Sequence, residues 1–189
     1  MNNLFKMNYL PVILALMFII SGCTKDESAL NSTLKVSNIT AISSNDMIGH
    51  WELSGMIADT EIDLNSDNHY NKNLLNETSC FNTMSITFNE DGTFISNNAQ
   101  MTFESGASNN EFFCLSDRMD DGEWEVSNNS LILTFLMDGK TYTHKKVIDL
   151  ASNKFSLEVT KLESDQYVND PGDTQASPIR ILELEYTKS

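Results

Sequence analysis

The sequence predicts an all-β fold: an antiparallel up-and-down β-barrel of eight or nine strands, following a signal peptide and a flexible tether. Three observations carry this. Apolar and polar residues alternate with period two in short runs from Ile48 to the C-terminus. Tight-turn signals, Asn89-Glu90-Asp91-Gly92 and Asp138-Gly139 among them, separate these runs. No stretch carries the 3.6-residue periodicity of an amphipathic helix. Sequential hairpins with one apolar face make a barrel or a sandwich, and closure into a barrel removes exposed strand edges.

The N-terminus comes first in chain order. Lys6 supplies a positive charge, and the apolar run Tyr9 to Ile20 is shorter than the ~20 residues needed to span a bilayer, so it reads as the core of a signal peptide. The run ends in Ile20-Ser21-Gly22-Cys23, which resembles the bacterial lipobox. That resemblance implies cleavage after Gly22 and acylation of Cys23, and more than one acyl chain gives stable anchoring. Thr24-Lys25-Asp26-Glu27 resembles the surface-export signal of Bacteroidetes lipoproteins, which implies the outer membrane and its exposed face. The organisation expected is a signal peptide over 1–22, a lipidated Ser/Thr/Asn-rich tether over 23–46 and a barrel over 47–189.

The alternation then places the strands. Met84, Ile86 and Phe88 share one face, and Leu131, Leu133, Phe135 and Met137 another. Asp138-Gly139 turns into Lys140 to Leu150, and Ala151-Ser152-Asn153 turns into Phe155, Leu157 and Val159. After a polar excursion over Glu163 to Ser177, Leu182, Leu184 and Tyr186 share a face of the last strand. Cys80 and Cys114 remain once Cys23 is acylated, and in an oxidising compartment an even pair forms a disulfide. Such a bridge is worth about 4 kcal/mol in the chain-entropy description.

Two Gly-x-Trp sequences frame the first half of the domain, Gly49-His50-Trp51 and Gly122-Glu123-Trp124. With the Phe88 to Thr93 turn and the cysteine pair, they make Met47 to Thr187 similar to the lipocalin-like domain of Bacteroidetes lipoproteins. The resemblance implies that Trp51 plugs the closed end of the barrel, that Arg180 on the last strand packs on it, and that Ala58 to Ser79 forms a lid over the open end. It also implies a small apolar or amphipathic ligand, with Met84, Ile86, Phe88, Met101, Leu133, Phe135, Met137 and Leu157 as candidate lining. Bulky inward residues equally suit a filled barrel that meets a protein partner on its outside.

With 27 acidic and 12 basic residues and a net charge of −15, the chain lacks the basic face that nucleic acid or an anionic lipid surface requires. Its membrane partner is reached through Cys23 alone. Asp63-x-Asn65-x-Asp67 has the opening spacing of a calcium loop, but Asn68 and Leu74 replace the turn glycine and the bidentate glutamate, so a solvated loop is expected and no metal. Asp117, Asp120, Asp121 and Glu123 read as a second solvated cluster. His50, His69 and His144 are scattered, and no catalytic motif surrounds them. The function expected is binding, without cofactor or catalysis.

Overall fold

The computed structural model describes residues 41–137 and 139–189. The signal peptide, Cys23 and the tether up to residue 40 lie outside the described residues. From Ile42 onward the expected tether is already part of the folded unit. The Asp46 carboxylate accepts from the Ser43 N–H and hydroxyl and holds a single helical turn, α1 (Ser44–Met47), whose Met47 is fully buried. The Ile42 N–H donates to the Asn129 side chain at 2.9 Å.

Ten strands follow. β1 (Gly49–Ile62) is succeeded by a short β2 (Asn71–Asn73), a 3-10 turn (Leu74–Asn76), β3 (Ser85–Phe88) and β4 (Thr93–Phe103). Then come β5 (Phe112–Ser127), β6 (Ser130–Met137), β7 (Lys140–Ala151) and β8 (Lys154–Glu158). The chain ends with a helical turn α2 (Lys161–Ser164), a two-residue β9 (Val168–Asn169) and β10 (Ile181–Lys188). Eight of these strands close in the order β1-β3-β4-β5-β6-β7-β8-β10, all antiparallel, with β10 pairing back onto β1 from Trp51↔Lys188 to Ala58↔Ile181. The predicted barrel is therefore present, with β2 added to β1, and β9 laid parallel to β4 at Met101↔Val168.

The hairpins follow local chemistry. β5 turns into β6 through Asn128 (φ 51°) and Asn129 (φ 57°), residues that tolerate the left-handed region such a two-residue turn requires. The Asp91 carboxylate accepts from the Thr93 hydroxyl and N–H, which sets the β3–β4 turn and holds the Asp91 carboxyl below its ordinary range. The Cys80–Cys114 disulfide, with Cα atoms 5.4 Å apart, ties the segment before β3 to β5 across the intervening β4.

Neighbouring strands do not match in length, and this opens the wall. β8 pairs with β7 only from Ile148↔Leu157 to Ala151↔Lys154, leaving Lys140 to Val147 without a ladder on that side. β6 pairs with β5 only from Gly122 to Ser127, so the first half of β5 pairs with β4 alone. In the connection between β8 and β10, α2 reaches this stretch through Glu163, which pairs with Lys146 of β7, while β9 extends the edge of β4 beyond β3.

Candidate functional site: an internal cavity above an aromatic floor

One end of the barrel is filled by rings. Trp51 meets Phe155 edge-on at 4.9 Å, Phe155 stacks on Tyr186 at 5.0 Å, and Phe88 packs on Trp124 at 4.8 Å. The two Gly-x-Trp sequences thus converge on one floor, joined through Phe88 and Phe155 at 6.4 Å. Each indole N–H reaches a backbone carbonyl, Trp51 that of Met47 at 2.7 Å and Trp124 that of Asn89 at 3.0 Å, so neither polar edge is buried unpaired.

The two glycines serve different contacts. Gly49 stands at φ +127°, and a Cβ there would lie 2.8 Å from Lys188 Cε. The space it leaves is filled by the Lys188 side chain, whose Nζ sits over the Trp51 ring, 5.1 Å from its centroid. A Cβ on Gly122 would run into the Thr134 carbonyl oxygen and Phe135 of β6. The expected cation on Trp51 was Arg180, and this is corrected. β10 runs antiparallel to β1, so Trp51 faces Lys188 at one end while Arg180 lies beyond Ile181 at the other, its carbonyl accepting from the Asp59 N–H at 2.9 Å.

Above the floor lies a cavity of about 580 Å³ with a mainly apolar lining. Phe94, Leu133, Leu157, Val159 and Leu184 form its walls and Tyr186 its base. Phe135 stands higher on β6, stacked with Tyr142 at 6.0 Å and met edge-on by His144 at 5.3 Å. Of the candidate lining residues, Leu133, Phe135 and Leu157 face this cavity. Met84, Ile86, Phe88 and Met101 are buried in the packed core and do not line it. The side chain of Met137 lies outside the described ones.

Apart from Lys146, on a strand that the alternation placed, the polar groups at the cavity come from segments it left unread. The Arg118 guanidinium lies 3.4 Å from Asp120 Oδ2, and the Asn98 amide donates to the same oxygen at 2.8 Å. Asp120, expected in a solvated acidic cluster, therefore stands at the cavity. Across it, α2 begins with a capping box in which the Thr160 N–H and hydroxyl donate to Glu163 Oε2 at 2.8 and 2.7 Å. The Lys146 ammonium of β7 donates to that same Glu163 oxygen and, at 3.0 Å, to the Glu158 carbonyl. This ion pair bridges the stretch of wall where β7 has no ladder. Burial raises the Glu163 carboxyl, but the Lys146 and Thr160 donors more than reverse it and leave its pKa below the ordinary range.

Two tyrosines complete the site. Tyr167 follows α2, and its carbonyl accepts from the Met101 N–H at 2.8 Å, which fixes the residue against β4. Burial, reinforced by the Glu163 carboxylate and partly opposed by Arg118, pushes the Tyr167 phenol up to about 12. Burial, with Tyr167 beside it, pushes Tyr186 up further.

Ala58 to Ser79 does not lid this cavity, since none of its residues lines it. The segment has its own core instead: Leu64 and Leu74 are buried, and the buried Glu77 carboxylate accepts from the Leu64 N–H at 3.2 Å. Within it the Asp63 and Asp67 carboxylates cap backbone N–H groups of Asp67, Asn68 and His69. The His69 N–H holds the Asp67 carboxyl below its ordinary range. His50 lies on the outer face, 2.8 Å from the Thr87 hydroxyl. Among the described residues no group of three or more His, Cys, Asp or Glu is disposed to hold a metal ion.

With this geometry in place, comparison with known proteins gives one family. The profile of the domain of unknown function DUF5004 matches residues 25–161, most of the chain. The chain belongs to the DUF5004 family. Its match spans β1 to β8, including both Gly-x-Trp sequences and both disulfide cysteines, and stops before Glu163, Tyr167 and β10. No curated protein and no solved structure matches the chain.

Proposed function

We propose that this DUF5004 protein is a lipid-anchored lipoprotein of the outer membrane, in the manner of the Bacteroidetes lipoproteins it resembles. Its lipocalin-like barrel would hold one small apolar or amphipathic ligand, in a role of binding rather than catalysis. The observation that carries the binding reading is the cavity of about 580 Å³ above the aromatic floor. Its size lies within the range of small-molecule sites, and apolar walls with a few convergent polar groups are the usual composition of such sites. The anchor rests on the signal peptide and the lipobox-like Ile20-Ser21-Gly22-Cys23, and the surface location on the acidic residues after Cys23.

Two measurements test the two halves separately. Metabolic labelling with an alkyne palmitate should mark the wild-type protein and not Cys23→Ala; equal labelling of both removes the anchor. Titration of the secreted domain with N-phenyl-1-naphthylamine should give saturable fluorescence enhancement. That enhancement should be lost in a Leu133→Trp/Leu157→Trp variant that keeps the wild-type circular dichroism. Absence of enhancement in the wild type, or its persistence in the folded variant, removes the cavity reading.

A further inference from the structure

The ligand reading leaves open the sign of the head group that the cavity takes, and the inference below rests on that reading. Arg118, Asp120, Lys146 and Glu163 are the acidic and basic side chains that line the cavity. Three of them are held by several polar partners. Asp120 Oδ2 receives the Asn98 amide as well as Arg118, and Glu163 Oε2 receives the Thr160 N–H, the Thr160 hydroxyl and Lys146. Lys146 divides its donors between Glu163 and the Glu158 carbonyl, with 17% of its side chain exposed.

Arg118 is the exception. Its Nε lies 3.4 Å from Asp120 Oδ2, and half of its side chain is exposed. Among the described residues its two terminal nitrogens have no acceptor, and together they form the planar fork that matches a carboxylate. A side chain that lines the cavity and is half exposed stands where the cavity meets solvent. A carboxylate placed there keeps part of its hydration, so it avoids most of the cost of burying a charge. The net charge of −15 opposes the approach of an anion, but salt screens that field beyond about 8 Å, and the contact itself is decided by the nearest groups. An ammonium head has less to gain, because Asp120 and Glu163 are already met by cations and neutral donors.

We propose that the cavity takes an anionic amphipath, with a carboxylate head on the terminal nitrogens of Arg118 and an apolar tail against Leu133, Leu157 and Leu184. Asp120 occupies the Nε side of the guanidinium and leaves the fork to the ligand. The apolar walls set the affinity for the tail, and Arg118 sets the sign of the head and the direction in which the ligand lies.

The test is competition against N-phenyl-1-naphthylamine by sodium decanoate, methyl decanoate and decylammonium, at about pH 8, where the acid and the amine are both ionised. Decanoate should compete more strongly than decylammonium. Arg118→Gln, with the wild-type circular dichroism, should weaken decanoate relative to methyl decanoate by about threefold to tenfold, the worth of a partly exposed charge-assisted contact. Taking the ratio of acid to ester within one variant removes any general effect of the substitution on the cavity. Decylammonium competing as strongly as decanoate, or an acid-to-ester ratio that Arg118→Gln leaves unchanged, overturns the proposal. These failures are distinct from failure of the cavity reading, in which the fluorophore itself does not bind.

Discussion

Lys188 Nζ stands 5.1 Å from the centroid of the Trp51 ring, and the side chain reaches that place across the vacancy left by Gly49. The last strand of the barrel thereby locks onto the first at the closed end, by a cation over an indole as well as by the β1–β10 ladder. The contact explains why glycine sits two residues before the tryptophan. Gly49→Ala forces a Cβ to within 2.8 Å of Lys188 Cε at a backbone φ of +127°, and it should destabilise the domain by about 1–3 kcal/mol. Urea denaturation measures this. The double variant Gly49→Ala/Lys188→Ala should lose less than the sum of its parts, because removing the lysine removes the clash but not the backbone strain.

Gly122 gives a second, independent case. Its missing Cβ makes room for the backbone of β6 at Thr134, where no flexible side chain can yield. Gly122→Ala should therefore disrupt the β5–β6 ladder itself and lower the urea midpoint, with no rescue from truncating Phe135. Recovery on truncation would show that the contact is with the ring and not with the backbone.

The Cys80–Cys114 bridge holds the segment before β3 against β5, whose first half has β4 as its one ladder partner among the barrel strands. Replacing both cysteines by serine should cost about 2–5 kcal/mol in denaturation. Hydrogen exchange should rise first around Phe112 to Asp117, where the ribbon has least other support.

The Lys146–Glu163 pair predicts a pH dependence with a definite sign. Glu163 releases its proton more readily folded than unfolded, so the unfolded chain binds more protons as the solution is acidified. Its stabilisation is in full force above the ordinary carboxyl value of 4.5 and is lost as pH falls through the lower folded value. The stability gap between wild type and Glu163→Gln, followed by urea denaturation, should narrow steadily from about pH 6 to about pH 3. A gap that is constant over this range would show that Glu163 acts through its Thr160 cap contacts alone.

The barrel was legible where one face of each strand is buried and the other wet. Leu131 and Leu133, Phe155 and Leu157, Leu184 and Tyr186 all alternate as two-sided strands must, and all contribute to the inner face. The cavity was legible in part through Leu133, Phe135 and Leu157. Its polar groups were not. Asp120 sits in an acidic run on a strand whose pairing with β4 shifts between Asn98 and Gln100, so period-two counting loses the face there. Glu163 and Tyr167 lie in a non-periodic connection; the Thr160-x-x-Glu163 capping pattern was the one local signal that α2 begins there. Arg180 just precedes the last strand and Lys188 ends it, and only the β1–β10 register decides which of these cations reaches Trp51.

The most direct test of the central claim is native mass spectrometry of residues 24–189, secreted into the periplasm of its own host, beside the Leu133→Trp/Leu157→Trp variant. The account predicts an added mass on the wild type that denaturation releases and that is missing from the folded variant. A wild-type protein that carries no ligand and takes up none from a total lipid extract of the host would contradict it.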